Sequence, residues 1–294
     1  MSVRTTRRFA LTAAVSFLCL ASLVLTGCKD KDKENAASAG QIIATLATLS
    51  EKDVAEVERG MPEGAKLLAP LFAKGDPRQD IAAVRSAIKK VRRENMDLNV
   101  AKSTFFALCD DKGVAIRNDL DTDVMAGQNL ITIFPELGKL VGAQTTPYAT
   151  TTGSFPMSGP RAENDKDWVA AVPVKKDDGT VAGLFVTGWS YRYFARHLSE
   201  ALKSQLVEEA KKKGDPGKIP VYYIAVFDKT GVYTAPLVPD VNKKALEEAD
   251  LVGKTASGKF QGSITITERT FGLGAARVPK LGPETGIVII VSEV

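Results

Sequence analysis

Hydrophobic and polar positions fall into three regimes along the 294 residues. From Phe9 to Leu25 the chain is an unbroken run of apolar or small residues. Arg4, Arg7 and Arg8 precede it, and alternating charges from Lys29 to Glu34 follow. From about Gln41 to Ala101 the spacing predicts helix. Ile42, Ile43, Leu46 and Leu49 share one stripe, Ser50-Glu51-Lys52-Asp53 restarts a helix with capping-box character, and Gly75-Asp76-Pro77 breaks the region. Asp80 to Asn99 then places Ile81, Val84, Ile88 and Val91 on one face and Lys89, Lys90, Arg92 and Arg93 off it. On an amphipathic helix, a basic cluster in that position is expected to be the wet side.

Beyond Ser103 the period becomes strand-like. Phe105–Asp110 and Val114–Arg117 form a hairpin across Asp111-Lys112-Gly113, and Trp168–Val174 and Val181–Trp189 form a second across Asp177-Asp178-Gly179. Tyr191 to Lys213 reads as a helix ended by Gly214-Asp215-Pro216-Gly217. A third hairpin pairs Val221–Asp228 with Val232–Thr234, and strands at Lys259–Thr267, Arg269–Val278 and Gly286–Glu293 complete the chain.

These elements repeat. Ala107 to Val114 aligns with Ala225 to Val232 at a constant offset, matching Ala, Asp, Gly and Val. Each unit opens with an Asp-x-x-Gly hairpin and closes with a longer antiparallel one, an order that repeats at a domain-sized interval. On these segments (Phe106–Ile116, Val169–Leu198 and Tyr223–Ala235) the chain resembles the tandem Cache module, the extracytoplasmic relative of the PAS fold, over about residues 80–294. The resemblance implies an α+β fold, N-terminal helices followed by two PAS-like antiparallel-sheet units, and a ligand-sensing role. It departs from the family's usual plan in lacking an output domain. The second unit is also short, so a complete pocket is expected only in the first.

The N-terminus supplies an address. A charged segment, a short apolar run and Leu25-Thr26-Gly27-Cys28 resemble a bacterial lipobox, with Cys28 lipidated as the first mature residue. The organisation expected is a signal over 1–27, a polar tether over 28–40, a helical segment over 41–101, a first unit with its trailing helix over 102–213 and a second over 214–294. Residues 1–27 hold three of the 39 basic residues and none of the 35 acidic ones, so the mature charge falls to +1. That removes the support a basic pI would give to nucleic-acid binding. Cys19 leaves with the signal and Cys28 carries lipid, so Cys109 is the one thiol left in the mature chain. It reads as a small buried hydrophobe.

Candidate chemistry is sparse. His197 is the single histidine, which excludes two-histidine metal motifs and most catalytic triads, and it reads as a surface or boundary residue. Asn118 to Asp123 imitates the start of a calcium loop, but Val124 and Leu130 occupy the positions that need Gly and a bidentate Glu. Ser86-Ala87-Ile88-Lys89 and Lys229-Thr230-Gly231 are the outer elements of a serine β-lactamase signature without its middle element. Gly272-Leu273-Gly274 reads as small residues that let a sheet pack closely. No cofactor is expected.

The segment from Gln144 to Trp168 is polar and broken, and in the resembled fold it lines the pocket. Arg161 beside Tyr148 and Trp168 suits a carboxylate, because a guanidinium offers a planar bidentate fork. The expectation is a non-enzymatic, lipid-anchored sensor for a small molecule, possessing a membrane-protein partner. The alternatives are a structural lipoprotein without pockets and, behind it, a serine hydrolase using Ser86 and Lys89.

Overall fold

A computed structural model describes residues 7–99, 105–142, 146–154, 166–214 and 219–292, with side chains described from residue 31. One helix, α1 (Arg7–Ala73), underlies the rest. After a short turn, α2 (Ile81–Glu94) begins at Asp80, whose carboxylate accepts from the Ala83 N–H as an N-cap. The first sheet contains β1 (Phe105–Asp110), β2 (Ala115–Asn118), β3 (Ala149–Gly153), β4 (Asp167–Lys175) and β5 (Val181–Ser190), with a short α3 (Leu130–Ile133) between β2 and β3. Next comes α4 (Tyr191–Lys212), capped by the Ser190 hydroxyl. The second sheet contains β6 (Val221–Asp228), β7 (Gly231–Thr234), β8 (Lys259–Ile266), β9 (Arg269–Arg277) and β10 (Gly286–Ser292), with α5 (Asp240–Glu247) and α6 (Leu251–Lys254) between β7 and β8.

Both sheets are antiparallel and share one topology: β2-β1-β5-β4-β3 in the first and β7-β6-β10-β9-β8 in the second. The register repeats too, with Ala107 opposite Val186 and Ala225 opposite Val288. The second unit therefore carries a full five-stranded sheet despite its shorter span. On the central strands of both units, such as β1 and β10, side chains alternate between two buried faces, while the edge strands β3 and β8 are largely exposed or half-buried. Phe106, Leu108, Trp168, Val172 and Phe185 join Ile224, Val226, Ile287 and Ile289 in one core against α1, α2 and α4. The opposite face of the first sheet packs under Met125, Leu130, Phe134, Leu137 and Leu140, and that of the second under Leu246 and Leu251.

Three expectations change. The segment read as a solvated tether is helical over its described residues, and Asn35 and Ala39 are buried. The reason is on the facing strand, where a Cβ added at Gly272 or Gly274 would lie 1.9 Å from the Asn35 carbonyl oxygen or 2.4 Å from that of Ala39. Two glycines thus admit the helix backbone directly onto β9, as the close-packing reading of that motif expected. Ser50 does not restart a helix. Its hydroxyl donates to the Leu46 carbonyl at 2.8 Å, an i−4 bond that leaves α1 continuous. Thirdly, part of the polar stretch before Trp168 is the edge strand β3. Its threonines suit a half-buried pleated surface.

Candidate functional site

Two of the three residues expected to line a pocket belong to one cluster, on the face of the first sheet that looks toward α1. Trp168, at the start of β4, is fully buried and stacks on Trp189 of β5 with centroids 4.5 Å apart. Trp189 stacks in turn on Phe194 of α4 at 4.8 Å. The pairing of Trp168 with Trp189 across β4 and β5 produces that contact. Tyr148, just before β3, packs half-buried against the same extended core, but the β3–β4 register, with Ala149 opposite Ala171, sets it nearly level with Val172, four residues along β4 from Trp168. Burial pushes its phenol pKa up, and the nearby Glu58 adds to the shift. The hydroxyl of Tyr148 and the indole N–H groups of Trp168 and Trp189 are buried, with no hydrogen-bond partner among the described residues. Arg161 lies outside the described residues.

The other motifs resolve into structural roles. Asp123 accepts from the N–H groups of Asn118, Met125 and Ala126 and pairs with Arg117 at 3.0 Å. Asp119 accepts from the Phe106 N–H at 2.8 Å and pairs with Arg92 at 2.9 Å, while Asp121 meets Arg85 and Lys89. The carboxylates of the acidic loop are therefore occupied by this chain's own donors. No cluster of three or more metal-ligating side chains occurs among the described residues. Ser86 is exposed on α2, and Lys89 turns its amine to Asp121 at 3.8 Å. Lys229 reaches Glu284 at 4.0 Å and Thr230 bonds Asp228 within the β6–β7 turn. Both elements of the hydrolase signature are thus engaged in local contacts. Cys109 is fully buried, which raises its thiol pKa above the ordinary range.

Arg92 departs from its expected solvated place. Its guanidinium stacks 4.5 Å over the Phe106 ring while holding Asp119, and burial lowers its pKa. Lys89, Lys90 and Arg93 do face water.

Two contacts were not legible from the chain. Lys166, at the foot of β4, donates to Asp228 of the second unit at 2.6 Å and to Thr230 at 3.3 Å. The Thr230 hydroxyl bonds that of Tyr233 at 2.7 Å, and the Tyr233 ring meets Tyr191 edge-on at 5.2 Å. This partly buried set, with Thr230 at its exposed end, ties the units together. Asp228 was visible as a turn residue, but no local pattern announces a cation 62 positions away. Likewise His197 of α4 bonds the buried carboxylate of Asp53 on α1 at 3.1 Å. That bond raises the imidazole pKa against the opposing effect of burial.

No protein-family model matches the chain, and no curated protein matches it in sequence. Solved structures do match in shape. The extracellular domain of the histidine kinase vpHK1S-Z8 superposes with a TM-score of 0.60 at 11% identity, covering 90% of this chain and 93% of that one. The ligand-binding domain of the Campylobacter jejuni chemoreceptor Tlp3, in complex with L-valine, gives 0.53 at 10% identity over 90% and 95%. The same receptor's sensory domain with isoleucine gives 0.50 at 11% identity over 90% and 95%. The chain has, over about nine-tenths of its length, the fold of these Cache-like extracellular sensor domains.

Proposed function

We propose that this chain is a lipid-anchored extracytoplasmic sensor module, held at the cell envelope through Cys28. It binds a small molecule and passes occupancy to a membrane-protein partner. The observation that carries the reading is the pair of like five-stranded sheets strung on one helix, the arrangement of domains whose solved forms include complexes with amino acids. The buried donors of Tyr148 and Trp168 have no acceptor among the described residues. A bound carboxylate would satisfy such groups, whose burial alone costs about 1–3 kcal/mol each. Arg161 supplies the charge for that ligand in this reading.

A thermal-shift screen of the chain from residue 29 onward, against amino acids, organic acids, amines and purines, tests it. A ligand at about a hundred times its Kd adds roughly 2.7 kcal/mol, a rise of several degrees in Tm. Arg161→Ala and Tyr148→Phe should remove that rise while leaving the unliganded Tm within a degree or two. An unchanged shift in both variants would sink the residue assignment. Mass spectrometry of the mature N-terminus tests the anchor, which requires a lipid mass on Cys28.

A second reading, an interaction lipoprotein without pockets, draws on the packing of the outer faces. Met125, Leu130, Phe134, Leu137 and Leu140 are fully buried against the first sheet, and Leu246 and Leu251 cover the second. A screen with no stabilising compound in any class would favour it.

A further inference from the structure

The two units differ at one matched place, the open end of the strand that begins each sheet. In the first unit the backbone N–H of Asp119 donates to the Phe106 carbonyl at 3.0 Å, and the Asp119 side chain accepts from the Phe106 N–H. Arg92 of α2 closes over both. Ile224 is the repeat-related partner of Phe106, and its carbonyl accepts the same kind of bond, from the Ala235 N–H at 3.2 Å. Ala235 has no carboxylate with which to accept from the Ile224 N–H.

Pairing between β6 and β7 ends at Ala225 and Thr234. In an antiparallel strand the N–H and C=O of one residue point to the same side, and alternate residues share that side. The backbone groups of Tyr222 and the N–H of Ile224 therefore face the unpaired edge beyond β7. A groove of about 450 Å³ runs along this edge. One wall is α4, with Arg196, Ser199, Glu200 and Lys203, and the other is the loop after β7. Tyr222 of β6 is tied to the α4 wall through its hydroxyl, which donates to the Ser199 carbonyl at 3.1 Å.

Beside the groove stands Leu237, 99% exposed with φ +74°, between Pro236 and Pro239. A left-handed backbone is disfavoured for leucine, and a lone exposed leucine contributes nothing to the core. Arg196 is paired to Glu200 at 2.8 Å, while Lys203 is exposed with no acidic partner among the described residues.

We propose that this groove takes an extended acidic segment of a partner protein. The segment adds to the β6 edge as a strand, sets a carboxylate against the Ile224 N–H with Lys203 as its counter-charge, and packs an apolar side chain on Leu237. Only a polypeptide offers the alternating donors and acceptors that an open strand edge matches. The first unit shows the same chemistry satisfied within the chain, by a carboxylate and a cation. The proposal does not depend on which small molecule the protein binds.

The test is fluorescence anisotropy of a labelled, end-blocked Thr-Val-Asp-Val-Thr peptide against the full chain in detergent. Binding should weaken at least tenfold when the peptide's Asp becomes Asn, and similarly in the Lys203→Glu variant. Ala235→Asp, which grafts the first unit's solution, should abolish it. Amide exchange at 221–224 should slow when the peptide binds. Should Ala235→Asp fail to fold, Lys203→Glu carries the test, since that side chain is exposed on α4. Four results would overturn the proposal. They are no binding of either peptide, equal binding of the Asp and Asn peptides, displacement by acetate at the peptide's own concentration, and a concentration-dependent dimer in place of peptide binding. The third marks a small-carboxylate pocket and the fourth a second copy of this chain.

Discussion

The first and second units repeat one sheet, yet each is held to the rest of the molecule by different chemistry. In the first, the junction between helix and sheet is polar and charged: Arg92 lies on Phe106, Asp119 holds the guanidinium, and Asp119 also completes the backbone of β1. In the second, the helix α1 meets β9 through bare backbone at Gly272 and Gly274. A buried ion pair fixes geometry but is costly to break, because its surviving partner is left charged and desolvated. A glycine contact holds through close approach alone and is sensitive to volume. The shared topology thus fixes where strands lie, while a few non-repeated side chains decide how each unit is fastened and whether its edge is closed.

Removing the polar fastening should have the largest effect. Asp119→Ala removes the carboxylate that pairs with Arg92 at 2.9 Å and the side-chain acceptor of the Phe106 N–H. The expected loss is about 3–5 kcal/mol, nearer the lower figure because the Arg92 side chain retains 20% exposure. Equilibrium urea unfolding would register that loss. The double variant Arg92→Met/Asp119→Ala should recover much of it, since the guanidinium that Asp119 offset is then removed as well. If the two variants proved equally unstable, the cost would belong to the backbone bond and not to the ion pair.

The glycine contact comes next. Gly272→Val forces a side chain into the space of the Asn35 carbonyl. Overpacking of this kind costs about 1–3 kcal/mol when neighbours yield, and more when the obstacle is backbone. Hydrogen exchange would show where the damage falls. Protection should drop along the stretch of α1 around Asn35 and Ala39 and in β9, with the first sheet unaffected. A uniform loss across both sheets would mean that α1 fastens the units as one body, and the contrast between them would narrow.

Most of the fold was legible because it rests on local signals. Alternation gave the strands, and Asp-x-x-Gly gave the turns, at Gly113 for instance, where φ is +77°. The repeat gave the shared order of elements. The misread places are those where a distant contact overrode a local preference. Ser50 looks like a cap until its hydroxyl finds the Leu46 carbonyl. Residues 31–40 look like a tether until Gly272 and Gly274 receive them. Arg92 belongs by periodicity to the wet side of α2 and is drawn inward by Asp119, which lies 27 positions later in the chain. Of the candidate site, the chain pattern placed Tyr148 and Trp168 on one polar, broken segment, and both meet the same extended core. That core, shared with Trp189 and Phe194, was not legible, because nothing local to residues 144–168 specifies which sheet face the aromatics share.

The smallest effect concerns the clamp between α1 and α4, which lies where the two units meet. The Asp53 hydrogen bond raises the His197 pKa, nearby Glu200 adds to the shift and burial opposes it. The folded-state pKa therefore lies above the unfolded value of about 6.5. A group shifted upward contributes its full stabilisation below the unfolded pKa and loses it as pH rises through the folded one. The chain should therefore be slightly more stable near pH 6 than near pH 8 on this account. The His197 side chain is 36% exposed, so solvent screening keeps the difference well under about 1 kcal/mol. Urea midpoints measured across pH 5.5–8.5 (about two decades either side of neutrality being unnecessary) should show that slope in the native chain and a flatter profile in His197→Gln. Should the slope persist in the variant, the pH dependence would lie with other groups, and Asp53 and His197 would join the two helices by packing and a neutral hydrogen bond.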